Sequence, residues 1–203
     1  MTNSNQKTIQ SYEEHVPQYI SGTPQEVSGV VKDWIDESIA DLPKGARILE
    51  LGSATGRDAA YLQNLGFTVE CSDATEAFVD LLTQNGFNAR KLNVITDEFG
   101  GPYDFMLANA VLLHLTRDEM KQTLGKISSA LSEHGRFAFT LKQGEGEEWS
   151  DSKLGAPRFF CYWTEDQIRS YLEKAGFNDI KISGDKATTN ATWLQIIAQK
   201  NKL

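Results

Sequence analysis

Residues 47–58, RILELGSATGRD, and residues 66–73, GFTVECSD, decide how this chain folds. An apolar strand closes on Glu50-Leu51-Gly52, and a Gly52-x-x-x-Gly56 loop follows it. A short helix then leads to a second apolar strand that ends on Asp73. Glycines at a strand-to-helix junction let backbone approach a ligand, and an acid about 20 residues later can hold ribose hydroxyls. The pattern outlines a site for a nucleoside-bearing cofactor. It is not a clean G-x-G-x-x-G, because Ala54 and Thr55 interrupt the spacing. The acid-rich strand end suits a positively charged ligand better than a pyrophosphate.

Outward from this stretch the chain alternates between strand and helix. Strands are expected at 47–51, 67–72, 88–92, 103–109 and 136–142, with helices at 58–65 and 75–85 between the first three. A further helix opens at Thr116-x-x-Glu119, and another runs from Thr164-x-x-Gln167 to Lys174, with Gly176 placed to end it. Such alternation implies a parallel sheet covered on both faces by helices. The end of the chain breaks the rhythm. Residues 178–183 and 192–200 both read as strands, with only a polar turn around Gly184-Asp185 and Asn190 between them. That gap is too short for a crossover helix, so the last two strands should pair antiparallel. Two helices are expected before the sheet. The first covers 7–20 with an irregular end at Pro17, and the second opens on the capping box Thr23-Pro24-Gln25-Glu26. The stretch 143–156 reads as one long irregular loop.

The chain has 203 residues, enough for one domain with a single large core, and its 40% apolar and 24% charged content is that of a globular protein. A net charge of −8 argues against broad nucleic-acid binding, and no Lys/Arg run supplies a basic stripe. No uninterrupted apolar stretch reaches membrane-spanning length. The polar start MTNSNQKTIQ lacks the core of a signal peptide. Two cysteines, Cys71 and Cys161, make no disulfide framework. A cytoplasmic setting and a small-molecule partner are expected, with no nucleic acid and no membrane. No metal is expected, since neither C-x-x-C nor H-E-x-x-H occurs.

Taken together these residues resemble a class I S-adenosylmethionine-dependent methyltransferase, of the small stand-alone kind. The resemblance rests on Glu50-Leu51-Gly52-Ser53-Ala54-Thr55-Gly56, on Gly56-Arg57-Asp58, on Ala108-Asn109-Ala110-Val111-Leu112-Leu113-His114 and on Lys142-Gln143-Gly144-Glu145-Gly146-Glu147. It covers nearly the whole chain. The family's first motif is E-x-G-x-G-x-G, and here Ala54 replaces the middle glycine. The resemblance implies a Rossmann-like three-layer α/β sandwich, with a mostly parallel seven-stranded sheet ending in an antiparallel C-terminal hairpin. It implies one domain over residues 1–203, with residues 1–43 forming a helical lid. It also implies S-adenosylmethionine as methyl donor and S-adenosylhomocysteine as product, in a monomer or a homodimer.

The expected roles follow from the motifs. Gly52, Ala54 and Gly56 would bring backbone against the methionine portion, and Arg57 would pair with its carboxylate. Asp73 would accept from both ribose hydroxyls, with Ala74 beside it and Thr75 free to cap the next helix. Glu50 would support the loop or face the sulfonium. Asn93 and Val94 would meet the adenine, while Asn109 and Ala110 would line the channel beside the methyl group. Tyr12 and Tyr19 would close the lid. His114 is the candidate general base, since an imidazole can transfer protons near neutral pH. Trp149, Arg158 and Tyr162 would wall the acceptor pocket, with Phe160 anchoring the loop. Two other readings compete: a non-catalytic cofactor-binding module, and a nicotinamide-dependent oxidoreductase that shares the strand-loop-helix-strand-acid half.

Overall fold

A computed structural model describes residues 3–188 and 191–201. The strands are β1 (Arg47–Leu51), β2 (Thr68–Asp73), β3 (Ala89–Lys91), β4 (Tyr103–Ala108), β5 (Leu131–Lys142), β6 (Glu147–Ser150), β7 (Arg158–Cys161), β8 (Phe177–Thr188) and β9 (Ala191–Lys200). The helices are α1 (Asn3–Glu14), α2 (Val16–Ser21), α3 (Gly29–Ile39), α4 (Arg57–Asn64), α5 (Glu76–Gln84), α6 (Arg117–Ala130) and α7 (Glu165–Lys174). Seven strands form one sheet in the order β3-β2-β1-β4-β5-β9-β8. The first five are parallel to their neighbours, β9 runs antiparallel to β5, and β8 runs antiparallel to β9. This is a Rossmann-like α/β sheet with an antiparallel C-terminal hairpin.

Strand alternation divides the core between the two faces. Leu49, Leu51, Met106, Ala108, Phe137 and Phe139 pack on one side with α6 and α7. Ile48, Phe105, Leu107 and Ala138 pack on the other with Trp34 and Ile35 of α3 and Leu62 of α4. Successive strand residues point to opposite faces, and helices cover both, so central strands are apolar at nearly every position.

Both expected capping boxes at α6 and α7 form, each with its Thr side chain accepting from the third helical N–H and the Glu119 or Gln167 side chain reaching back. The third does not. Thr23 Oγ1 donates to the Tyr19 carbonyl at 2.6 Å and Gln25 Nε2 donates to the Ile20 and Thr23 carbonyls, so both finish α2 instead of starting α3. Helix α3 begins six residues later, at Gly29. The first helix also splits, at His15. Pro17 has no N–H to give and its ring would crowd the Glu13 carbonyl, so the helix restarts as α2 with proline in its first turn.

The stretch 143–156 is less irregular than its composition suggests, because β6 within it pairs antiparallel with β7. This small second sheet carries Phe159, whose N–H donates to Thr8 Oγ1 at 3.1 Å, while Ser11 Oγ donates to the Pro157 carbonyl at 2.6 Å. Helix α1 therefore docks through polar side chains. Strand β8 runs through Gly184 and Asp185, past the expected turn, and Asn190 lies outside the described residues. Among the described residues no helix is long and apolar enough to cross a membrane.

Candidate functional site

Strand order reverses between β1 and β4, and ligands of open α/β sheets bind in the crevice that opens at such a point. A cavity of ≈ 700 Å³, its open mouth included, lies there. A smaller lobe of ≈ 290 Å³ adjoins it, and Tyr19, Gly52, Ala54 and Asn109 line both.

The loop after β1 is shaped by its glycines. Gly52 has φ +67°, and a Cβ there would stand 2.4 Å from Val111 Cγ2. Gly56 has φ +80°, and a Cβ would stand 2.7 Å from the Phe87 ring. Neither position tolerates a side chain. Ala54, at φ +48°, adopts the left-handed conformation without being glycine. Its N–H donates to Asp73 Oδ2 at 3.0 Å, and Thr75 N–H donates to Asp73 Oδ1 at 2.9 Å. Asp73 thus ties the two cofactor-type turns together, and its burial pushes its pKa up against those two backbone donors. The Ala54→Gly variant is expected to gain about 1 kcal/mol of stability through relief of the left-handed strain, read as a rise in thermal midpoint. An unchanged or lower midpoint would contradict that.

The smaller lobe is acidic at its floor. Glu50 is buried, and its Oε2 has no hydrogen-bond partner among the described residues. Burial, with Asp58 nearby, pushes its pKa up to about 8. Asp58 instead is well satisfied: Arg57 Nε donates to it at 2.7 Å and Asn109 Nδ2 at 2.8 Å. Asn109 Oδ1 in turn accepts from Thr140 Oγ1, which accepts from the Ala110 N–H. This chain fixes the end of β4, where Ala110 is left-handed at φ +59°.

Helix α1 and Tyr19 of α2 roof the larger lobe. Asn93, expected at the adenine, lines the cavity but spends its side chain internally. Its Nδ2 donates to Asn5 Oδ1 at 2.9 Å and its Oδ1 accepts from the Ile95 N–H. Glu13 of α1 accepts the N–H of Glu76 at 2.8 Å and of Ala77 at 2.9 Å, capping α5. Thr75, expected in that role, makes no side-chain cap. A carboxylate at a helix start satisfies orphan donors and complements the dipole. Glu13→Ala should therefore cost about 1 kcal/mol, seen in urea unfolding, and should speed proteolysis between α2 and α3. Equal midpoints would show that the contact holds nothing.

His114 also lies in the cavity wall, in the one-turn helix Leu112–His114 after β4. Its Nδ1 faces the Phe159 carbonyl at 2.6 Å, which can only accept, so Nδ1 carries the proton. Nε2 then accepts from the Tyr12 hydroxyl at 2.9 Å. Burial pushes the His114 pKa down to about 3. A histidine expected as a free base is thus neutral and engaged at both nitrogens. Tyr12 Oη also accepts from Arg158 Nη1 at 3.3 Å.

The structure gathers most of the predicted residues. Tyr12, Tyr19, Gly52, Ala54, Asp73, Ala74, Asn93, Val94, Asn109 and Ala110 line the larger cavity, and Glu50 and Arg57 the smaller lobe. Gly56 sits behind the loop as the residue before α4. The three expected acceptor residues do not line the cavity. Trp149 is 45% exposed, edge-on to Phe159 and under Lys7 Nζ at 4.8 Å. Tyr162 turns its hydroxyl to Glu148. Arg158 lies behind Tyr12. Sequence reading passed over Asn5, Thr8, Ile9 and Phe78, which line the roof side. The first two are polar on a buried helix face, and hydrophobic periodicity carries no signal for them.

A family described as "Methyltransferase domain" matches residues 14–182. No curated protein matches the chain. Among solved structures, a SAM-dependent methyltransferase from Methanosarcina mazei is 15% identical, with 88% of this chain and 100% of that one covered at TM-score 0.70. The 1,6-didemethyltoxoflavin-N1-methyltransferase of Burkholderia thailandensis, with its substrate and S-adenosylhomocysteine bound, is 20% identical over 98% of this chain and 87% of that one, at TM-score 0.73. Phosphoethanolamine N-methyltransferase 2 of Haemonchus contortus, in complex with S-adenosyl-L-methionine, is 13% identical over 100% of this chain and 61% of that one, at TM-score 0.77. At these identities the solved structures speak to the fold, and the family match covers most of the chain. The chain belongs to the methyltransferase domain family.

Proposed function

We propose that this protein binds S-adenosylmethionine across the two lobes and transfers its methyl group to a small-molecule acceptor by in-line displacement. The observation that carries the reading is the placement of two buried carboxylates in the two adjoining lobes of one crevice. Asp73 lines the larger lobe, where a ribose would lie, and Glu50 holds an unpartnered Oε2 at the smaller one. An ammonium group suits that oxygen, and the Gly52 turn leaves room for backbone approach. The residues fit the cofactor. When bound, it supplies a methyl carbon already activated by a sulfonium.

The protein's task is then alignment and exclusion of water, and alignment of this kind can contribute ~7–11 kcal/mol. Tyr12 and Tyr19, with α1 and α2, serve as the lid over the pocket. Asn109 and Ala110, braced by Asp58 and Thr140, form the wall beside the methyl group. His114 positions Tyr12 through the Nε2 hydrogen bond and does not itself meet the acceptor. A base is needed only when the acceptor loses a proton before attack.

Calorimetric titration with S-adenosylhomocysteine, with NADH in a parallel cell, tests the reading. Micromolar binding of the first and none of the second is expected. Folded protein that ignores S-adenosylhomocysteine would refute the proposal, and binding of NADH would return the oxidoreductase reading.

A further inference from the structure

We infer that the methyl acceptor carries an oxyanion, a phosphate or carboxylate, gripped by Arg158 and Lys142 beside the Tyr12 and His114 wall of the cleft. The inference rests on the methyltransferase reading above and names its substrate class.

Three cations from residues 142–158 gather beside the linked rings of Tyr19, Tyr12, His114 and Phe160. Arg158 Cζ lies 5.1 Å from the Phe160 ring centroid, and Lys142 Nζ lies 3.9 Å from the same ring. Phe160 packs on His114, with centroids 4.8 Å apart, and His114 is a cavity wall residue. Lys153 Nζ lies 4.1 Å from the Tyr19 ring centroid, at the rim. Among the described residues, no ion pair joins any of the three to a carboxylate. Glu148, the carboxylate that favours the charged form of Lys142, is exposed and already accepts from the Tyr162 hydroxyl.

Arg158 makes the case sharpest. It is only 5% exposed, and its Nε is buried with no hydrogen-bond partner. Burying a guanidinium without a counter-ion is costly, and the cost is recovered when an anion meets it. Bidentate recognition of carboxylate or phosphate is what its planar fork does best. The cations also press on one another: burial first, then Arg158, lowers the pKa of Lys142, and the same two causes with Arg57 bring Lys153 down to about 8.

Charge is therefore divided. Glu50, Asp58 and Asp73 line the two lobes, whereas Arg158, Lys142 and Lys153 stand against the aromatic wall of Tyr12, Tyr19, His114 and Phe160. A cationic cofactor beside three unpaired cations would be repelled, whereas an anionic acceptor between them neutralises both. Its charge would also orient it, leaving the nucleophilic atom to face the methyl group past Tyr12.

The test uses protein saturated with S-adenosylhomocysteine, titrated at fixed ionic strength with inorganic phosphate or acetate, and with glycerol and choline as neutral and cationic controls. Saturable binding of an oxyanion and neither control is expected. Phosphate preferred over acetate assigns a phosphate-bearing acceptor, and the reverse a carboxylate. Arg158→Gln and Lys142→Gln should each weaken that binding by about tenfold or more, with S-adenosylhomocysteine affinity retained. Because Arg158 is buried and its variant can unfold, the half-buried Lys142 carries the test alone if needed. Cofactor-product binding without oxyanion binding, or oxyanion binding indifferent to the variants, would overturn this inference and leave the methyltransferase reading standing. Absence of S-adenosylhomocysteine binding would overturn both.

Discussion

Asp73→Ala should lower the affinity for S-adenosylhomocysteine by about 100-fold or more and destabilise the protein as well. The carboxylate sits buried at the end of β2 and accepts one backbone N–H on each oxygen, from Ala54 and Thr75. The carboxylate keeps acceptor capacity beyond these bonds, and the residue lines the cavity, so a ribose hydroxyl can meet it there. Truncation leaves the buried Thr75 N–H unpaired, at about 1–3 kcal/mol, and the part-buried Ala54 N–H with it. Loss of binding in the alanine variant could then reflect a damaged loop. Asp73→Asn separates the two effects. Its amide oxygen can still accept from one backbone N–H, so the fold survives with a modest fall in melting temperature, while the charge-assisted grip on the ribose is lost. Calorimetry and thermal unfolding of both variants give the answer. If Asp73→Asn binds S-adenosylhomocysteine like the wild type, the ribose does not lie at Asp73.

Glu50→Gln should lower that affinity by at least about tenfold and remove most of its pH dependence. The sign follows from the direction of the shift. The folded pKa of Glu50 is about 8 against an ordinary 4.5, raised first by burial and then by Asp58. The contribution to stability of the ligand-free protein is thus full below the ordinary value and is lost as pH rises towards about 8. An ammonium group brought to Oε2 favours the ionised carboxylate, so binding near neutral pH expels a proton. Affinity of the wild type should rise between pH ~6 and ~8, and the binding enthalpy should vary with the ionisation enthalpy of the buffer. In Glu50→Gln both dependences should largely vanish, and the ligand-free variant should melt higher than wild type at alkaline pH. A wild-type enthalpy that is the same in every buffer would rule out Glu50 as the ammonium partner.

The parts of this protein that could be read without coordinates are those written in local patterns. The β1 loop, the acid at Asp73 and the capping boxes at Thr116 and Thr164 stand where their spacing places them. The capping box at Thr23 failed for a reason equally local. A preceding helix end competed for the same side chains, and a three-residue pattern cannot rank the two uses.

By itself the sequence determined the alternation of strands and helices, the antiparallel hairpin and the cofactor-type loop, because period, turn residue and short gap act over a few residues. Only the tertiary structure decided the rest. It chose the polar face of α1 that docks, through Thr8 on β7 and Asn5 on Asn93, where a hydrophobic pattern has nothing to report. It tied His114 to Tyr12, 102 positions away, and so turned an apparent base into a neutral hydrogen-bond acceptor. It also brought Arg158 to Tyr12 across 146 positions and set Lys142 beside it on the Phe160 ring, building a basic cluster in a chain of net charge −8. Charge and hydrogen bonding act through space, and which groups become neighbours is settled only when the sheet and its roof close.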